Sequence, residues 1–345
     1  MRKIAILSLI AVAVLHNQGI GQSLITKDSL AEKMLVYQLS NGAWPKQLVD
    51  KSVVDYSLPL TNKLLQKIKT TAIDHATLDN SATTREINGL IKAFKDTKNQ
   101  TYLTAAEKGI NYILSAQYEN GGFPQYYPNK SLYRAEITYN DNAMINALLV
   151  LHNVANKQDG FEAVNTAFIS KAQLAVKKGI ACILKTQVIQ EGERSIWAAQ
   201  YDEKTLAPAQ ARKFEPASLS TSESVAIVRF LMLQPATNEI QQAIEHAINW
   251  FQQNDIEGYR FDHVKDQITG KSERKLIADS SSTIWARFYH LVDNRPLFGD
   301  RDDMIKYNFE EVSEERRNGY AWFGNWPEKL IQKDYPKWKK KYNIQ

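Results

Sequence analysis

Two short polar knots carry the groups that could hold a cation. One is Leu78-Asp79-Asn80-Ser81, the other Tyr139-Asn140-Asp141-Asn142, and each precedes an apolar segment. Asp79, Asn80, Asp141 and Asn142 offer hard oxygen donors, of which calcium gathers six to eight, waters included. Histidine and cysteine are nearly absent from these stretches, which argues against zinc. A plainer reading stands beside this one. Asp and Asn are good N-caps, since their side chains accept from the free amides of a first helical turn.

Arginine is the second theme. Arg212 lies in the loop Ala209-Gln210-Ala211-Arg212-Lys213-Phe214-Glu215-Pro216. Arg229 falls inside a predicted apolar helix from Val225 to Leu231, and Arg287 inside one predicted from Thr283 to Leu291. Arg295 and Arg301 flank Pro296-Leu297-Phe298-Gly299-Asp300, and Arg316 and Arg317 follow. An arginine on an inner helix must be paired or must bind an anion. Ion pairs with Glu223, Asp300 or Asp303 would satisfy that demand; so would a ligand's carboxylates, which guanidinium groups grip in bidentate fashion. Calcium and arginines together in an aromatic-walled groove suggest a polycarboxylate substrate. Trp44, Phe123, Tyr126, Tyr127, Trp197, Trp322 and Trp326 are candidate walls, although each alone would serve as packing.

The elements that must position these groups read as helices. Apolar periodicity predicts them over 29–38, 82–94, 102–117, 143–151, 168–187, 220–233, 240–252 and 283–291. Ser220-Thr221-Ser222-Glu223 reads as a capping box. No run reads as a strand. Gln38, Gln117, Gln187 and Gln252 each end a helix, and a glycine and an aromatic soon follow, at a repeat of roughly 65 to 80 residues. Each repeat would hold one amphipathic and one apolar helix. The apolar helices would open at Asp79, Asp141, Ser220 and Asp279. Repeated hairpins of this kind predict an all-α fold, an α/α toroid with its apolar helices inside. All inner helices would then point one way, and four polar mouths with positive dipole ends would share one rim.

The 345 residues begin with Arg2-Lys3, an apolar run from Ile4 to Leu15, and Gly19-Ile20-Gly21-Gln22. Residues 1–22 therefore read as a signal peptide, with export to the periplasm or the medium, and residues 23–345 as one catalytic domain. Removing Arg2 and Lys3 lowers the formal charge of +5 to about +3, too mild to suggest nucleic acid. The mature chain is expected to work off the membrane, as a monomer. The single cysteine, Cys182, sits in an apolar helix, so no disulfide is expected.

Several segments together resemble the family 10 pectate lyases. They are Trp44-Pro45-Lys46, Leu78 to Thr84, Gly121 to Pro128, Tyr139 to Met144, Tyr201 to Leu206, Arg212 to Glu223, Asn294 to Phe298 and Arg316 to Tyr320. They run in order through nearly the whole mature chain. The resemblance implies an α/α toroid and calcium-assisted β-elimination on polygalacturonate, an acidic polysaccharide. It implies calcium ligation by Asp79, Asn80 and Asp141, and Arg212 as the base that takes the C5 proton. It places substrate carboxylates on Arg287 and Arg301, with Arg229 as a further basic contact. One departure is Asn142, where the family pattern is acidic; it bears on calcium affinity rather than on the reaction. Two rivals stand against the lyase. A glycoside hydrolase would use two of Asp79, Asp141 and Asp202 as acid and base. A non-catalytic binder would keep the arginines and aromatics without turnover.

Overall fold

The computed structural model describes residues 26–344, apart from Asp266, Ile268 and Thr269. The predicted signal peptide, residues 1–22, lies outside the described residues. Among the described residues eight helices precede residue 254: α1 (Ser29–Tyr37), α2 (Asn62–Thr70), α3 (Thr84–Thr97), α4 (Gln100–Ala116), α5 (Ala143–Asn156), α6 (Ile169–Thr186), α7 (Thr221–Met232) and α8 (Asn238–Gln253). Two more, α9 (Glu314–Gly319) and α10 (Tyr335–Tyr342), lie in the tail. Of the eight, only α2 was not predicted. Its apolar stripe is only Leu64, Leu65 and Ile68, of which Ile68 alone is buried, a span of barely more than one turn in a polar segment.

Helices α3, α5 and α7 lie side by side as an inner row, each hairpinned with an outer neighbour, α4, α6 or α8, while α1 packs on α3 and α4. Composition explains which row is which. In α5, Ala143, Met144, Ile145, Ala147, Leu148, Val150, Leu151 and Val154 are all buried, so the helix is apolar on most sides. Each large side chain among them contributes about 1.5–3 kcal/mol by leaving water. The outer α8 buries only Ile240, Ala243, Ile244, Ala247, Ile248, Trp250 and Phe251, a single stripe.

The recurring glutamines have a physical role. Gln38 Nε2 donates to Gly42 O at 2.9 Å and to Ala105 O in α4 at 2.8 Å. Gln117 Nε2 donates to Gly121 O at 3.0 Å and to Ala175 O in α6 at 2.9 Å. Gln187 Nε2 donates to Ser195 O at 2.8 Å and to Ala243 O in α8 at 2.9 Å. Each amide thus ties its own loop to the next outer helix. Gly121 has a φ of +93°, and a Cβ there would run into the Lys178 carbonyl. Only glycine suits both demands. Gln252 breaks the series: it is exposed inside α8.

The chain beyond α8 overturns the predicted all-α toroid. The described residues are 48% helix and 17% strand, a mixed fold with several antiparallel sheets. The strands are β1 (Ile137–Thr138), β2 (Ile189–Gln190), β3 (Glu193–Arg194), β4 (Gln200–Tyr201), β5 (Leu219–Ser220), β6 (Ile256–Lys265), β7 (Ser272–Ala286), β8 (Phe288–Tyr289), β9 (Pro296–Gly299), β10 (Ile305–Lys306) and β11 (Phe323–Gly324). β1 pairs with β4 and β2 with β3; the larger sheets run β10-β9-β8-β5 and β11-β7-β6. The segment predicted as a fourth inner helix, 283–291, is instead the end of β7 and β8. Asp279-Ser280-Ser281-Ser282-Thr283 are poor helix formers. Thr283, Ile284 and Trp285 suit a pleated surface, where Ile284 pairs with Ile256 of β6.

The fourth unit keeps its loop even though it loses its helix. Trp44 Nε1 donates to Met34 O at 2.7 Å, Trp197 Nε1 to Ile183 O at 2.8 Å and Trp285 Nε1 to Phe251 O at 2.8 Å. Ala198 N donates to Tyr201 Oη at 2.6 Å, and Ala286 N to Tyr289 Oη at 3.0 Å. Trp197-Ala198-Ala199-Gln200-Tyr201 and Trp285-Ala286-Arg287-Phe288-Tyr289 are therefore one motif used twice. Arg287 holds its third position, as Lys46 does after Trp44-Pro45.

Candidate active site

Three inner helices begin at one end of the molecule, and the turns before α3 and α5 touch each other as well as α5 and α7. These turns are Asp79–Ser81 and Asn140–Asn142. Both run through left-handed backbone at residues other than glycine: Asn80 has φ 49°, Ser81 61°, Thr83 69°, Asp141 52° and Asn142 59°. Such conformations cost energy and collect where a site over-determines the chain. Ser220 opens α7 beside them. The fourth predicted mouth, Asp279, is not there. It lies within β7, where it accepts from Ser281 and Ser282.

The capping reading fails at these mouths. No side chain caps α3, α5 or α7. Ser220 and Glu223 do not form a capping box either, since the Ser220 hydroxyl donates to the Glu223 carboxylate. The acidic groups are used otherwise. Asp79 is 2% exposed. Its Oδ2 is ion-paired with Lys46, and its Oδ1 is buried with no hydrogen-bond partner. Glu223, equally buried, takes Arg287 Nη2 at 2.5 Å. The same Nη2 lies 3.2 Å from Asn140 Oδ1, while Arg287 Nε is buried and unpaired. Burial is the strongest single influence on Arg287 and works against its charge, but Glu223, Tyr320, Asp141 and Glu215 together outweigh it, so its pKa stands above the ordinary guanidinium value.

Asp141 completes this group. Its pKa is pushed up to about 6, first by burial and then by the charge of Asp79, with Arg287 working the other way. Two neighbouring carboxylates, one of them buried with an orphaned oxygen, fit a bound cation. The donors are carboxylate and amide oxygens, as a hard ion requires. Asn80 is exposed on the same turn. Lys46 already neutralises one oxygen of Asp79, a role that the Trp44-Pro45-Lys46 motif alone does not disclose.

Arg212 stands across from this group. It lines a cleft of about 760 Å³ with Leu132, Tyr133, Glu136, Phe214 and Arg301. Its Nε donates to Glu215 Oε2 at 2.7 Å, and its Nη2 to Glu215 Oε1. Arg301 is exposed and pairs with Glu315 at 2.9 Å. Phe214 is a platform between three guanidiniums, at 4.7 Å from Arg212, 4.6 Å from Arg316 and 5.6 Å from Arg301. Tyr320 joins the two arms of the site: its ring lies 4.9 Å from the Arg287 guanidinium, and its hydroxyl donates to Glu215 Oε1 at 3.0 Å.

Asp79, Asp141, Arg287 and Arg212 thus belong to one connected region, and Arg301 lines the cleft beside Arg212. Arg229 does not join them. It sits in the last turn of α7, about 12 Å along the helix from its mouth, paired with Asp334 at 3.0 Å. Of the predicted aromatic walls, Trp44, Phe123, Trp197 and Trp322 are buried packing residues. Arg287 belongs to a loop, not to the helix predicted for it; aligning the two Trp-Ala-x-x-Tyr segments would have put it there. Glu136, Asp202 and Glu203 form an acidic cluster at the cleft, their oxygens within 4.8 Å of one another. Burial and then these two neighbours push Glu136 up to about 7.

The chain is similar to known proteins. The model of the pectic acid lyase family matches residues 38–331. Among solved structures, the family 10 polysaccharide lyase from Cellvibrio cellulosa is similar at 34% identity, over 92% of this chain and 92% of that one, with a TM-score of 0.79. A mutant of that lyase in complex with trigalacturonic acid is similar at 34% identity, over 91% of this chain and 92% of that one, with a TM-score of 0.79. No curated protein matches.

Proposed function

The chain belongs to the pectic acid lyase family and is a pectate lyase, and from that premise we propose that it cleaves de-esterified polygalacturonate by calcium-assisted anti β-elimination. In this reading Asp79, Asn80 and Asp141 hold calcium, Arg212 is the base, and Arg287 and Arg301 receive uronate carboxylates. The observation that carries it is the buried, unpartnered Oδ1 of Asp79 facing the same shared mouth as Asp141.

Bound calcium supplies positive charge where the uronate carboxylate gathers electron density as C5 loses its proton. Arg287, held by Glu223, presents its remaining guanidinium edge to a second carboxylate. Arg212 takes the C5 proton; the C5–H electrons form the C4–C5 double bond as the C4–O bond breaks, and the departing oxygen keeps that bond's electron pair and takes a proton from water. The products are a new reducing end and a 4,5-unsaturated oligogalacturonide. Arginine is a weak base in ordinary surroundings, so the rate should climb toward high pH. All these groups come from one chain, so the reading needs no partner subunit. Arg229, at the far end of α7, has no part in it.

Among the described residues no helix is long and apolar enough to cross a membrane. We place the protein outside the cytoplasm, on the strength of the leader-like residues 1–22. The test of function is incubation with polygalacturonate, with and without a chelator, followed by ultraviolet absorbance. Calcium-dependent growth of an unsaturated-uronide signal is expected. Metal-independent cleavage to saturated products would select the glycoside hydrolase instead.

A further inference from the structure

The structure leaves an unexplained feature at Arg212. A residue asked to accept a proton is clasped by a carboxylate through two of its three nitrogens. Nε and Nη2 both go to Glu215, and Nη1 is left without a hydrogen-bond partner among the described residues. A two-point grip fixes the plane of a guanidinium as well as its place.

Glu215 is itself held from several sides. It is 3% exposed. Its amide donates to Arg212 O at 2.7 Å and its carbonyl accepts from Ala211 N at 3.1 Å, closing residues 211–215 into a tight loop. Gly299 of β9 lies against that loop, where a Cβ would come 2.5 Å from Phe214 O. The hydroxyl of Tyr320 donates to Glu215 Oε1 at 3.0 Å. The neighbouring arginines have another partner: Arg301 and Arg316 share Glu315. Glu215 is thus left to Arg212 and Tyr320.

We propose that Glu215, locked by Tyr320, is a positioning residue that turns the Arg212 guanidinium so that Nη1 alone is presented to the substrate's C5 hydrogen. This rests on the reading of Arg212 as base. The same contact has a second consequence. Burial is the strongest single influence and works against the Arg212 charge, but Glu215 foremost, with Tyr320 and Tyr133, outweighs it and holds the proton on. The other charged and titratable groups that face Arg212 are Tyr320, Tyr133 from the 132–135 turn, Arg301, and Asp141 from the turn before α5. Glu215 therefore trades basicity for aim.

The test compares Glu215→Gln, Tyr320→Phe and Arg212→Ala on polygalacturonate with calcium, reading kcat and KM across pH. In Glu215→Gln the carboxamide cannot accept from both nitrogens. Its kcat at the optimum is expected to fall about 10- to 100-fold, with KM within about twofold. The rising limb of the profile should shift to lower pH, because the charge that held the proton is gone. Tyr320→Phe should show a smaller fall in kcat, since it loosens the grip without removing the Glu215 charge. An unchanged kcat in Glu215→Gln overturns the proposal. So does a loss carried by KM alone, or a kcat loss with the limb unmoved, since a purely structural residue would give that. Arg212→Ala separates the two readings. If it is inactive while Glu215→Gln is unaffected, only the positioning falls; if it turns over near the wild-type rate, the base assignment falls first and the positioning with it.

Discussion

At the starts of α1, α4 and α8 a side chain closes the first turn. Asp28 accepts from Ala31 N, Asn99 from Thr101 N and Thr237 from Ile240 N. At the starts of α3, α5 and α7 no side chain does so, although Asp79, Asp141, Asn142 and Ser220 are the residue types that cap best. Two of the three outer helices, α4 and α8, spend such residues on stability, while α6 follows Phe168 with no side-chain cap. The inner row withholds them, accepts left-handed backbone at five residues, and points the freed carboxylates into a shared space. The same amino acids serve opposite ends according to which row they begin.

The largest effect should come from breaking the inner side of that contrast. Asp141→Ala is expected to lower kcat/KM on polygalacturonate about 100- to 1,000-fold, on the scale of losing a group that stabilises transition-state charge. The melting temperature should hold or rise, because a carboxylate pressed against Asp79 has been removed. An active Asp141→Ala protein with a lowered melting temperature would mean that the turn is a cap after all.

The outer side should break the other way. Gln117→Ala removes two donors, to Gly121 O and Ala175 O, at about 1 kcal/mol each. Thr237→Ala removes one cap at about 1 kcal/mol. Urea unfolding should register both losses, with kcat/KM on polygalacturonate within about twofold of wild type. A large drop in activity from either, without loss of stability, would dissolve the distinction between the rows.

The helix periods were legible because buried faces impose them, and seven of the helices before residue 254 fall where apolar spacing put them. The convergence of Asp79, Asp141 and Ser220 was legible for the same reason: alternating hairpins send every inner helix the same way. What was hidden is what pairing between distant segments decides. β7 runs Ser272–Ala286 because β6 and β11 are there to pair with it, and its serine-rich stretch carries no such signal locally. Lys46 and Arg287 illustrate the same limit at the site. They occupy the same place in two loops and neutralise Asp79 and Glu223, yet the match shows only when Trp44-Pro45-Lys46 is laid over Trp285-Ala286-Arg287. Glu215 read as part of a motif, but its grip on Arg212 depends on the backbone turn between them.

The smallest effect, and the one that tests the contrast most finely, is on stability against pH. Asp141 is pushed up to about 6 in the folded chain, by burial and then by Asp79, while in the unfolded chain it keeps its ordinary carboxylate value near 4. Between these values the folded state binds the extra proton, so stability should rise as pH falls from about 6 toward 4. Above about 6 both states are ionised and the folded state carries the whole penalty. Asp141→Asn removes the penalty. Its melting temperature should exceed that of wild type by about 2 °C at pH 8 and match it near pH 4. Glu136, pushed up to about 7, adds a slope of the same sign to both proteins, so the difference between them is the quantity to measure. Calcium should narrow the gap at pH 8, because an ion held by the charged form stabilises wild type alone. If Asp141→Asn instead melted lower than wild type at pH 8 without calcium, the carboxylate would be stabilising its helix as the outer caps do, and the two rows would begin alike.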